Sequence, residues 1–214
     1  DKTLDVLGQA AVLAAGATAY EEALAHTENA LTIVEGEDSV REAEHHHRRG
    51  NLLWCLWREE ELVQAYQRSI DLFERNRDYA GFGRAAISLG MFLGWRRRVD
   101  ESFVLTARLE QFLAGAPVAA EILAMGHALC AALASGCGQM DRAMELHTLA
   151  RSVPEGVIAG PAGQVILECE CSLMLHTAQW NRCEAVASER MSLLDPKADR
   201  WRIAQYGYCF PASA

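Results

Sequence analysis

Three consecutive histidines, His45, His46 and His47, and the pair Cys169 and Cys171 around Glu170 are the stretches whose residue types could hold a metal ion. Their spacing argues against it. Successive residues on a helix point about 100° apart, so adjacent imidazoles cannot converge on one ion. Helical ligand pairs need a separation of three or four, as in HExxH, which is absent. Cys-x-Cys is too short for a zinc knuckle. The triplet reads as a solvated or partly packed helix face, and no metal is expected. His127, His147 and His176 stand on amphipathic patterns at positions that pack, so they read as satisfied core or groove histidines rather than general bases. Glu168 and Glu170 are two apart and face away from each other, which is no paired-carboxylate site. Neither GxxxxGK[ST] nor GxGxxG occurs, so no phosphate-cradling loop can be named. No catalytic residue and no cofactor is expected, and the chain does not read as an enzyme.

The elements that would carry these residues are helices. Half of the 214 residues are hydrophobic and only 5 are proline, which argues against disorder. Alanine and leucine dominate without alternating β-branched runs, and that favours an all-α protein. A formal charge of −9 disfavours a nucleic-acid surface, because phosphate contacts need concentrated Lys and Arg. The short basic runs Arg48-Arg49 and Arg96-Arg97-Arg98 read as solvated helix ends. Seven cysteines without a CxxC pair behave as small hydrophobes, and a reducing, cytoplasmic compartment is the simplest setting. Nothing resembles a signal peptide, and no apolar run approaches the roughly 20 residues of a membrane span. The chain opens on Asp1 without an initiator Met, which suggests a piece of a longer protein.

A period organises the helices. Gly138-Gln139-Met140-Asp141-Arg142-Ala143, running on to Ala150 and Pro154, is a glycine break followed by an amphipathic helix with a small residue near its start. Similar half-units surround Ala23, Leu62, Ser102 and Cys183; with Ala143 these markers are spaced 39, 40, 41 and 40 residues apart. The pattern predicts five helix–turn–helix units at about 3–37, 38–77, 78–116, 117–155 and 160–195, in a single domain over 1–214. Gly36 with Asp38-Ser39 should end one helix and cap the next, and Glu59-Glu60-Glu61 suits a helix N-terminus. Ser135-Gly136-Cys137-Gly138 reads as a turn, 156–163 as a loop, and Glu170 as a misfit where an apolar residue is expected. A final half-unit at about 197–210, with Trp201, would cap the exposed end.

With the spacing of Ala86, Leu89, Gly90 and Leu93 in the third unit, these units together resemble the tetratricopeptide superfamily. The long period and the Arg49-Gly50-Asn51 entry are similar to the helical repeats of MalT-like transcription activators and of bacterial ATPase/nucleotide-cyclase signalling proteins. The resemblance implies a right-handed α-solenoid of about five repeats plus a C-terminal capping helix. It also implies a non-catalytic protein–protein interaction or scaffold module within a larger bacterial signalling protein. The alternative it carries is a small-molecule (inducer) sensing domain. In such arrays the first helix of each unit lines a concave face. Transferred by the marker residues, that face would hold His47, Asn51, Trp54, Arg84, Ile87, Met91, Trp95, Glu168 and His176, with Ser135 beside them. Aromatic and Met groups flanked by Asn, His and Arg would suit a peptide or a partner helix. Homo-oligomers through exposed repeat ends are a further implication; nucleic acid and membrane are not.

Overall fold

In a computed structural model of the chain, residues 2–36, 39–114, 119–159 and 161–193 are described, and all regular structure among them is helical. The described residues fall into two compact units, the first ending at Leu89 and the second beginning at Gly90. The capping half-unit expected at 197–210, and Asp38 of the expected helix cap, lie outside the described residues.

The first unit contains α1 (Lys2–Gly16), α2 (Tyr20–Val34), α3 (Ser39–Cys55), α4 (Glu59–Arg75) and the start of α5 (Tyr79–Trp95). Neighbours in sequence pack on one another: α1 on α2, α2 on α3, α3 on α4. Glu59, Glu60 and Glu61 occupy the first turn of α4, where the helix dipole favours them. The core is built from stripes at helical spacing, with Tyr66, Ile70 and Phe73 of α4 wholly buried.

The rest of α5, α6 (Val99–Ala114), α7 (Ala120–Gly136), α8 (Met140–Arg151), α9 (Glu155–Ile158), α10 (Pro161–His176) and α11 (Trp180–Ser192) form the second unit. Here α7 packs on α6, α8 and α10, and α10 packs on α8, α9 and α11. Helix α7 runs through Ser135 and Gly136, so the turn expected there begins two residues later, at Cys137. The expected 156–163 loop is largely helical: α9 occupies its start and Pro161 opens α10. Proline is well placed in a first helical turn, where its missing N–H has no partner to lose. Gly163 is required by close approach, because a Cβ there would run into the Ile158 carbonyl of α9.

One turn recurs throughout. Thr18, Trp57, Arg97, Gly138 and Ala178 all have left-handed φ, between 54° and 78°. Each follows a first helix and closes it with the same pair of bonds. At Thr18 these are Thr18 N–H to Ala15 O at 3.0 Å and Ala19 N–H to Ala14 O at 2.9 Å; at Ala178 they are Ala178 N–H to Leu175 O at 3.2 Å and Gln179 N–H to Met174 O at 2.9 Å. This is the Schellman closure of a helix C-terminus. The spacings are 39, 40, 41 and 40 residues, the same series as the marker residues of the second helices. Those markers, Ala23, Leu62, Ser102, Ala143 and Cys183, are all at most 6% exposed. Leu62, Ser102 and Cys183 thus fill the buried place that alanine fills at 23 and 143.

Candidate functional site

Of the nine first-helix positions singled out above, His47, Asn51, Trp54, Arg84 and Ile87 belong to the first unit. Three of them meet in one polar cluster. His47 Nε2 lies 3.1 Å from Ser88 Oγ, whose own hydrogen goes to the Arg84 carbonyl at 3.0 Å. Ser88 therefore accepts and His47 carries its proton on Nε2. Burial, reinforced by the Arg84 and Arg48 charges, lowers the His47 pKa to about 4, so the imidazole is neutral at pH 7. The Tyr66 hydroxyl donates to Asn51 Oδ1 at 2.7 Å, and the Tyr66 ring lies 5.8 Å from that of His47. Burial raises the Tyr66 pKa further from the titrating range. A neutral imidazole and a buried, protonated phenol, each hydrogen-bonded, tie helices α3, α4 and the start of α5 together. Ile87 is 5% exposed and belongs to the core rather than to a surface; Trp54 is half-buried and Arg84 is exposed.

Met91, Trp95, Glu168 and His176 belong to the second unit. His176 Nδ1 meets Ser135 Oγ at 2.8 Å, and that hydroxyl donates to Ala132 O at 2.8 Å. The His47–Ser88 and Ser135–His176 pairs are thus two Ser–His links, each spanning 41 residues and each joining first helices of successive units. The Cys169 thiol points to Met91 Sδ at 3.8 Å, and Glu168 Oε2 accepts from buried Arg190 at 3.1 Å. Trp95 is 44% exposed, with the Arg96 guanidinium 5.9 Å from its ring.

Glu170 is no misfit. It is 4% exposed, with His147 Nε2 at 3.4 Å and Arg151 Nε at 3.3 Å, and Arg151 also reaches Glu189 at 3.8 Å. Burial pushes the Glu170 pKa up, but the hydrogen bond from His147 and the Arg151 charge outweigh it and hold it below the usual value. Glu168 faces a different helix, α11, so the two carboxylates do point apart. Glu42 is built the same way in the first unit. Burial opposes its charge, while the Gly36 N–H at 3.0 Å and Arg68 at 2.7 Å outweigh it and lower its pKa.

The three histidines meet three different surroundings. His46 Nε2 lies 3.8 Å from Glu42, His47 bonds Ser88, and His45 lines an open trough. Among the described residues no group of three His, Cys, Asp or Glu side chains could hold a metal ion.

That trough, of about 790 Å³, lies between α1 and α3. Leu4, Gly8 and Val12 of α1 face Arg41, His45 and Arg48 of α3, with Asp5 and Glu44 at its margins. Arg48 Nη1 lies over Gly8, 3.5 Å from where a Cβ would stand; His45 Nδ1 belongs to another residue of the lining. Both nitrogens are buried without a hydrogen-bond partner among the described residues. Val12 and Leu13 are 60% and 74% exposed. Arg48 and Arg49 are therefore not solvated helix ends: they lie inside α3, and Arg49 bridges Glu28 at 3.1 Å and Glu61 at 3.2 Å. The basic lining at positions 41, 45 and 48 has helical spacing, so its place on one helix face is legible in sequence.

Compared with models of known protein families the chain matches none, and no curated protein matches it in sequence. No helix among the described residues is long and apolar enough to cross a membrane.

Proposed function

We propose that the chain is a non-catalytic interaction module, a tetratricopeptide-like superhelix that receives a protein or peptide segment along its first helices. The α1–α3 trough carries this reading. A buried guanidinium nitrogen without an acceptor favours a ligand that brings one, and the exposed Val12 and Leu13 beside it favour aliphatic contacts. The occupant is an acidic, amphipathic segment whose carboxylate sits on Arg48 and His45. The recurring left-handed turns support the repeat architecture. The histidines described above are neutral or engaged in packing, which supports a binding rather than a catalytic role. The six described cysteines are all free thiols, in keeping with a cytoplasmic setting.

The test is selection of a phage-displayed 12-residue peptide library on the full chain, with the Arg48→Glu chain as counter-target and helicity checked by circular dichroism. Recovered peptides should be acidic with interspersed aliphatic residues and should bind Arg48→Glu at least about tenfold more weakly. Binders indifferent to the substitution, or none above background, would count against the trough as the binding surface.

A further inference from the structure

Buried positions twelve residues apart recur in pairs on the two helices of each unit. The pairs are Ala11 and Ala23, Gly50 and Leu62, Gly90 and Ser102, Ala131 and Ala143, and finally Cys171 and Cys183. At least one member is Gly or Ala in every pair but the last, as close helix approach demands. In the last pair both members are thiols, 1% and 6% exposed. They face each other across the α10–α11 turn in a reciprocal arrangement. Cys171 Sγ lies 3.9 Å from the Cys183 carbonyl and Cys183 Sγ lies 3.7 Å from the Cys171 carbonyl. Each sulfur thus lies within 4 Å of the other residue's backbone, so the disulfide would join residues already packed against each other.

We propose that Cys171 and Cys183 form a reversible intramolecular disulfide that locks α10 to α11, taking a low-molecular-weight disulfide such as glutathione disulfide as its oxidant. Cys183, the more exposed of the two, enters first. Its thiolate attacks one sulfur of the oxidant, forming a mixed disulfide and releasing one glutathione thiolate. The Cys171 thiolate then attacks the Cys183 sulfur and releases the second. Two protein thiols lose two electrons and two protons, and the oxidant leaves as two glutathione thiols. Burial raises the Cys171 pKa to about 12, so its thiolate is scarce and the exchange is slow. Slow closure and slow reopening suit a lock rather than a turnover cycle. In a reducing cytosol the pair stays a dithiol, and the bond forms on oxidative exposure.

The test uses the full, folded chain equilibrated in reduced and oxidised glutathione buffers, quenched by alkylation and mapped by peptide mass spectrometry. The expected result is a linked 171–183 peptide in the oxidised buffer, reversed by excess reduced glutathione. With it should come a rise in Tm of about 5 °C. Cys171→Ala, which installs the residue found at 11 and 131, should abolish both the link and the shift. Both cysteines alkylated under oxidising conditions, a link between Cys130 and Cys169 in its place, or a 171–183 bond formed only in urea would overturn the proposal. Mapping of the unsubstituted chain decides the matter even if the variant folds poorly.

Discussion

Acidification should weaken the protein through His47 well before its carboxylates titrate. In the folded chain burial beside Arg84 and Arg48 holds the His47 pKa at about 4, whereas the unfolded value is about 6.5. Between those values the unfolded chain binds a proton that the folded chain refuses. Stability is thus full above about pH 6.5 and is lost as the pH falls toward 4. Linkage over this shift gives a loss of about 2 kcal/mol between pH 7 and pH 5 from this one residue. His46, also lowered to about 4 mainly by burial, adds in the same direction. The depressed carboxylates Glu42 and Glu170 lose their contribution only below the ordinary carboxylate value of about 4.5, so pH 5 separates the two effects. The perturbation is His47→Gln, whose amide N–H can still donate to Ser88. Urea unfolding followed by circular dichroism at pH 7 and pH 5 should show the variant losing about 2 kcal/mol less than the parent, with similar m values. An equal loss in both chains would refute the burial argument.

Two further outcomes test the packing. Glu170→Gln leaves His147 and Arg151 without their shared carboxylate, and chemical denaturation should register about 2 kcal/mol of destabilisation at pH 7, shrinking as acid neutralises the parent's Glu170. Gly50→Ala would place a Cβ 2.6 Å from the Tyr66 ring, which its hydroxyl bond to Asn51 holds in place, so Tm and unfolding should report a loss of about 2–3 kcal/mol; Gly16→Ala, with nothing within 4 Å, should be neutral or stabilising by up to about 1 kcal/mol.

The second helices were legible because their signal is local. A small or apolar residue five places after the left-handed residue recurs at each unit, and all five markers are buried. The start of α4 at Glu59 agrees with the helix N-terminus expected of its three leading glutamates. What stayed hidden depends on partners distant in sequence. Glu170 reads as a misfit until His147 and Arg151 stand beside it, and Arg49 reads as a solvated end until Glu28 and Glu61 do. Period alone places His47 and Ser88 on first helices; it cannot say that the hydroxyl, its own hydrogen already committed to the Arg84 carbonyl, will accept a hydrogen bond from the imidazole N–H. Ile87 shows the converse limit, since a position can sit on the expected helix and still point into the core.

The left-handed turns have a consequence for how such a chain tolerates change in length. Every junction after a first helix has the same backbone conformation and the same two closing bonds, at Thr18, Trp57, Arg97, Gly138 and Ala178. Removing or adding a segment that runs from one of these residues to the next would rejoin identical conformations, and every helix downstream would keep its own phase. Losing a single residue inside a helix is a different event: it rotates everything after it by about 100° and turns buried alanines toward water. A change of length by a whole period would therefore keep helix phase, and anything less would not.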